Sequence, residues 1–322
     1  MKNFQKLLGR DSNLQLIAIT IIVFALMAAM NPRFLNYYNF ESISFSMPEL
    51  GILSIAMMVA MLTGGIDLSV VGIANLAGIT AGILFQRLAA DGGVSGAETA
   101  LGVAVALGVG LLAGLLNGLL IAWLRITPIL ATLGSGQVFT GLALVLTGGP
   151  AIVGFPAAWN WIGNGKLAGI AFPFILFVLV CVGVSLLLSR TAFGVNLMLI
   201  GSNPKAAVFA GLRKARMICW SYMLTGGLAA LAGIILSGRT NAAKSDYGQS
   251  YLLQAVLIAV LAGTNPAGGK GNVPGVAIAL TALMFLSSGF QMMRVSNHLI
   301  DFIWGGFLIA VIALNAARNK DH

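Results

Sequence analysis

The sequence predicts an all-α polytopic membrane protein of about ten transmembrane helices. Three observations predict it. Of its 322 residues, 58% are apolar and 8% are charged, whereas soluble domains carry about 25% charge. The apolar residues fall in long unbroken runs such as 14–30 and 101–124. A helix needs roughly 20 such residues to cross lipid, and barrel strands would alternate in shorter segments. Lys and Arg, finally, sit at the ends of the runs and mostly on one side of them.

Ten apolar segments are expected, at 14–30, 48–64, 69–87, 98–124, 128–147, 167–189, 216–237, 252–263, 273–290 and 298–315. The basic stretch 1–11 precedes the first. Asn31-Pro-Arg-Phe-Leu35 follows it where a signal peptide would show a small-residue cleavage site, so it reads as a retained span. The second and third are parted only by Thr63-Gly-Gly-Ile-Asp-Leu-Ser69. In the fourth, Gly102, Gly108, Gly110, Gly114 and Gly118 fall on closely spaced turns. Small residues let helices approach closely in lipid, and packing is the simpler reading of them. Segment 150–165 is expected to hold a short interfacial turn, with Trp159, Trp161, Tyr37 and Tyr38 at the membrane surface. The eighth segment is short, and a Gly- and Pro-rich loop follows it. Such breaks mark backbone that lines a cavity or an interface. No stretch is long enough for a soluble domain, so 1–322 reads as one transmembrane domain.

The most polar interruption runs from 190 to 215. It contains Arg190-Thr-Ala-Phe-Gly194, then Gly201-Ser-Asn-Pro-Lys-Ala-Ala207 with Gly211, then Arg213 and Lys214, with Arg216 just past its end. An Ala- and Gly-rich, helix-prone loop is not needed merely to conduct a solute. It suits a chain pushed by a soluble partner. With the N-terminus inside, Lys2, Lys6, Arg10, Arg125, Arg190, Lys205, Arg213, Lys214, Arg216, Lys270, Arg318 and Lys320 lie inside. Arg33, Arg87, Lys166, Arg239, Lys244 and Arg294 lie outside. That twofold excess follows the positive-inside rule and favours an even number of spans, with both termini cytoplasmic.

The net charge of +9 is spread over span ends, so it argues for a membrane and against nucleic acid, whose basic footprint is clustered. Cys181 and Cys219 sit in or beside apolar segments and read as packing residues. His298 and His322 lie at span ends without metal-ligand company. Gly268-Gly-Lys-Gly271 lacks the spacing and the Ser/Thr of a phosphate-binding loop. No nucleophile–base set is present. The chain is read as no enzyme, with no metal and no cofactor.

Asp67 is the one acid set between two apolar spans. A buried acid in a membrane protein is a functional candidate. Its turn-like surroundings favour a structural role, with the carboxylate taking backbone N–H groups at the start of the next helix. No other acid is expected near mid-span, which argues against a proton-coupled carrier. Asn75, Asn117, Gln137, Thr140, Gln254 and Gln291, together with Thr132, are polar residues inside spans. They are candidates for a hydrophilic translocation path as a set, although each alone is better explained by helix–helix hydrogen bonding.

Five segments in register resemble the ribose-type permeases of bacterial ATP-binding-cassette sugar importers. They are Gly64-Gly-Ile-Asp-Leu-Ser69, Ile129-Leu-Ala-Thr-Leu-Gly134, Arg190-Thr-Ala-Phe-Gly194, Gly201-Ser-Asn-Pro-Lys-Ala-Ala207 with Gly211, and Ala262-Gly-Thr-Asn-Pro-Ala-Gly-Gly-Lys-Gly271. The resemblance covers nearly the whole chain and includes relatives that carry xylose, galactose, arabinose, allose or autoinducer-2. It implies an importer permease bundle in the bacterial inner membrane, working by alternating access. It also implies a cytoplasmic ATPase pair, a periplasmic sugar-binding protein and a second permease subunit, identical or different. The ATPase-coupling element falls on Gly201, Asn203, Ala206, Ala207 and Gly211. The chain departs from the family at Gly201-Ser-Asn and Ser69-Val-Val, which places it off the ribose centre. A carrier or channel working without ATP is the alternative.

Overall fold

The computed structural model describes residues 12–89 and 94–318. The readings of 1–11, Lys320 and His322 fall outside the described residues. The order of elements is α1 (Ser12–Met30), a short 3-10 turn (Pro32–Leu35), α2 (Tyr37–Leu62), α3 (Val70–Ala89), α4 (Gly96–Ala122), α5 (Pro128–Thr147), β1 (Ile152–Val153), α6 (Ala157–Asn164), β2 (Lys166–Leu167), β3 (Ile170–Ala171), α7 (Phe172–Arg190), α8 (Ala192–Ser202), α9 (Pro204–Phe209), α10 (Lys214–Thr240), β4 (Ala242–Ala243), α11 (Gln249–Leu261), α12 (Val273–Met292) and α13 (Asn297–Arg318). Eight of these helices are long and apolar enough to cross a membrane: α1 to α5, α7, α10 and α12.

Contacts sort the helix ends onto two faces. Thr63, Gly64, Arg125, Thr127, Gly201, Pro204, Lys214 and Ala267 line one cavity and so share one face. At the opposite face β1 pairs antiparallel with β4, Ile152 beside Ala243, and Lys166 pairs with Glu41. The first face is the one rich in Lys and Arg and is called the basic face below.

α2 is buried without interruption from Met47 to Leu62, as expected of a helix apolar all round. It lies at the centre. α10 packs along α4 through a seam of small residues: Gly110 meets Gly226, Gly114 meets the Tyr222 carbonyl and Gly118 meets the Cys219 backbone. These glycines serve packing, as expected; Gly108 faces open space. α1 is tied in by Phe24, which packs with Phe34, Phe40 and Phe285.

At the opposite face α6 folds over the end of α10. The last carbonyls of a helix need donors from elsewhere. The Asn164 amide supplies them, reaching Gly238 O at 2.9 Å and Arg239 O at 3.2 Å. Asn241, at φ 51°, ends α10, and the Asn160 amide donates to its side chain at 3.0 Å. The expected interfacial turn at 150–165 is this helix. Trp161, Tyr37 and Tyr38 are exposed, as read from sequence, but Trp159 is fully buried. It packs on Phe85 and donates its indole N–H to Ser237 at 3.1 Å, because the short helix turns that side chain into the bundle.

The eighth apolar segment is where the chain departs from simple spans. α11 has 13 residues, or about 20 Å, which is short of the roughly 30 Å of hydrocarbon. Residues 244–248 complete the crossing without helix. Asn75 of α3 donates to Ser245 O at 3.0 Å and to Tyr247 O at 2.9 Å. Its neighbour Ala74 lies against Gly233, seven residues or about 10 Å below the end of α10. This non-helical strap therefore enters the bundle, which is tolerated in a membrane only when protein or a cavity satisfies the backbone. α13, with 22 residues, returns from the opposite face.

Candidate functional site

The basic face carries the expected coupling segment. Asn203, in extended backbone, accepts the Ala206 N–H at 3.0 Å and so caps α9. Pro204 takes the first helical position, where its missing N–H costs nothing. Gly211, at φ 85°, ends the turn. Gly201 is wedged against the Leu62 carbonyl and the Gly269 N–H, and the Gly269 N–H donates to Leu62 O at 3.0 Å. Gly201 and Ala207 are therefore buried against their own chain. Ala206 faces outward. So do Val208, 53% exposed, and Phe209, 93% exposed. Sequence reasoning passed over this phenylalanine. Its signal was a large apolar residue within an otherwise small and polar loop.

Behind the same face the 63–69 turn dips into the bundle. Asp67 is fully buried. Its Oδ1 accepts the Ser69 N–H at 3.0 Å and the Ser69 hydroxyl at 2.6 Å, and its Oδ2 accepts the Thr225 hydroxyl at 2.8 Å. The bonds continue outward: the Asn117 amide donates to Ser69 Oγ at 2.7 Å, and the Ser135 hydroxyl donates to Asn117 Oδ1 at 2.5 Å. Thr132 accepts the Leu68 N–H at 3.0 Å. The network joins the turn to α4, α5 and α10. Burial pushes the Asp67 carboxyl above the usual carboxylate range, and the bonds from Ser69 and Thr225 pull it partly back. The Tyr222 hydroxyl lies against Gly65 with no hydrogen-bond partner among the described residues.

The candidate path residues separate into three groups. Asn117 belongs to the Asp67 network, and Asn75 holds the strap. Gln137 and Thr140 line a cavity of about 270 Å³ with Ser245, Gln249 and Leu68. Gln254 and Gln291 line another of about 400 Å³ with Ser46, Ser250, Tyr251, Ser287 and Asp301. The first turn of α11 divides the two cavities, so consecutive residues Gln249 and Ser250 face different ones.

A second buried acid corrects the expectation that Asp67 stands alone. Glu49 is fully buried in α2. It forms an ion pair with Arg239, whose Nη2 lies 3.2 Å from Oε2, and it accepts the Tyr251 hydroxyl at 3.2 Å. The apolar run was expected to start at Pro48, but the helix begins at Tyr37, eleven residues earlier, and so carries Glu49 in its middle. Arg239, alone at the end of 216–237, was the signal of a buried counter-charge.

A family model described as branched-chain amino acid transport system / permease component matches residues 39–312. The autoinducer 2 import system permease protein LsrD of Escherichia coli (strain K12) is 34% identical over 307 residues, which covers 93% of this chain and 90% of that one. The protein of the same name from Shigella flexneri matches to the same extent. No solved structure matches. The chain belongs to this permease family, as a multi-pass inner-membrane permease subunit of the ribose-type ATP-binding-cassette importers.

Proposed function

We propose that the chain moves a monosaccharide or a similar small hydroxylated solute, such as autoinducer-2, from a periplasmic binding protein to the cytoplasm by alternating access. A separate ATPase drives it through residues 201–211. The basic face is then cytoplasmic, with both termini on it, and a second permease subunit completes the pore. One observation carries the reading. α9 is a short, capped helix that holds Val208 and Phe209 out on the basic face while Gly201 seats its root against α2 and the 264–271 loop. A side chain as apolar as Phe209 at 93% exposure suits a protein cleft better than water, at roughly 2 kcal/mol for burying a Phe. The two polar cavities beside α11 suit a solute that bonds through hydroxyl groups.

The test is Phe209→Ala together with Val208→Ala in the complex of permease, ATPase and binding protein. Loss of ATPase co-purification and of stimulation by loaded binding protein, with membrane insertion intact, is expected. Assembly, hydrolysis and import at wild-type levels would overturn the coupling role. Uptake by the chain in proteoliposomes lacking the ATPase would favour the ATP-independent carrier.

A further inference from the structure

We infer that the 400 Å³ cavity beside the first turn of α11 is the site that receives solute from the outer face, and that Asp301 makes it reject anions in favour of neutral polyols. This rests on the importer reading and adds a site and a selectivity to it.

Four observations carry it. The cavity has the size of a small-molecule site, which typically starts near 300 Å³. Its wall is polar where a membrane bundle is ordinarily apolar: Ser250, Gln254, Ser287, Gln291 and Asp301 come from three different helices. None of these five side chains has a hydrogen-bond or ion-pair partner among the described residues. Ser250, Gln254 and Ser287 are half-buried and Gln291 and Asp301 are exposed at the helix ends, so their unpartnered donors and acceptors are open to the hydroxyl groups of a solute. Position is the fourth. Ser288 bonds Asn39 near the outer start of α2, and Gln291 and Asp301 lie at the helix ends on that face. The cavity is therefore at the entry side, one turn of α11 away from the 270 Å³ cavity that reaches Leu68.

Charge sets the selectivity. Asp301 and Tyr251 are the ionisable groups in the lining. The Tyr251 hydroxyl is already committed to Glu49, whose own charge is matched by Arg239. The wall therefore carries one net negative charge. A carboxylate accepts hydrogen bonds and donates none, which favours a ligand rich in O–H. It repels carboxylates and phosphates, and glutamine amides supply the complementary donors.

The experiment needs neither the ATPase nor the natural solute. Gln254→Cys and Gln291→Cys are made separately in a Cys181→Ala, Cys219→Ser background. Each is labelled in proteoliposomes with a cationic (trimethylammonium) and an anionic (sulfonate) methanethiosulfonate, and Leu179→Cys on the lipid-facing side of α7 is the unreactive control. Rates are expressed relative to each reagent's rate with a free thiol in solution. Both test thiols should react, the cation about fivefold faster on that scale, as for a unit charge within a Debye length in a wet cavity. Asp301→Asn should bring the two rates together. Ribose or xylitol at high concentration should slow labelling, and gluconate should not. Thiols as inert as the control, equal rates for the two reagents, or no protection by either polyol would each overturn the proposal. None of these outcomes bears on coupling to the ATPase, so the importer reading fails or stands separately.

Discussion

The Glu49–Arg239 pair yields an asymmetric prediction. Removing one partner of a buried ion pair costs about 3–5 kcal/mol, because the other charge is left uncompensated. The two partners are not equally trapped. The Glu49 side chain is 1% exposed and that of Arg239 is 29% exposed. In Arg239→Met, Glu49 keeps only the Tyr251 hydroxyl, a single bond worth about 1–2 kcal/mol, and the loss should reach about 4 kcal/mol. In Glu49→Gln, the amide oxygen still accepts from Tyr251 and the guanidinium can extend toward water along its apolar stem. That loss should stay near 1–2 kcal/mol. The double variant leaves no charge behind and should lose less than the sum of the two, by about 2 kcal/mol. The measurement is a double-mutant cycle on the thermal unfolding of the chain in detergent micelles. Equal losses in the two single variants, or strict additivity in the double, would refute the idea that the pair is held from the Glu49 side.

Three further outcomes are expected. Asp67→Asn should remain transport-competent, because an amide can still accept from Ser69 and donate to Thr225. The folded-state value of Asp67 lies above its unfolded one, so its contribution is greatest in acid and is lost as pH rises. The stability gap between Asp67→Asn and wild type should therefore move in favour of the variant from pH 4 to 7, and a gap that moves the other way contradicts the burial argument. Gly114→Leu should destabilise by about 3 kcal/mol or more, since overpacking here meets backbone, whereas Gly108→Leu should be silent; unfolding midpoints compare them. Reporter fusions at residues 160 and 205 should report opposite sides of the membrane, and the same side for both would remove the proposed orientation.

The spans were legible in the sequence because lipid enforces long apolar runs, and the glycine turns of α4 announced close packing. The α9 cap at Asn203 went unread, although capping is a local matter of one side chain and three residues. The two faces of the 201–211 segment were not legible either. Gly201 and Ala207 look as available as Ala206 in a list of small residues, and only the proximity of Leu62 and Gly269 turns them inward. Glu49 was missed because of where it sits. It lies near the end of an apolar run, where a charge normally finds water. Whether it does depends on neighbours more than a hundred residues away, as Arg239 is from Glu49. Asn117, grouped with the path candidates, is bonded to Ser69 and Ser135, the helix–helix bonding that was the simpler reading of it alone.

The seam between α4 and α10 limits how this molecule can move. Backbone rests on backbone at Gly110, Gly114 and Gly118, and no side chain there can swing aside to let one helix slip past the other. A slide of one turn would carry Ala106 or Ala122 into space fitted to hydrogen. The two helices, with α2 and α3 packed on them, behave as a chassis. Shape change during a transport cycle then has to come from elements outside this block, the strap held by the two bonds of Asn75 among them.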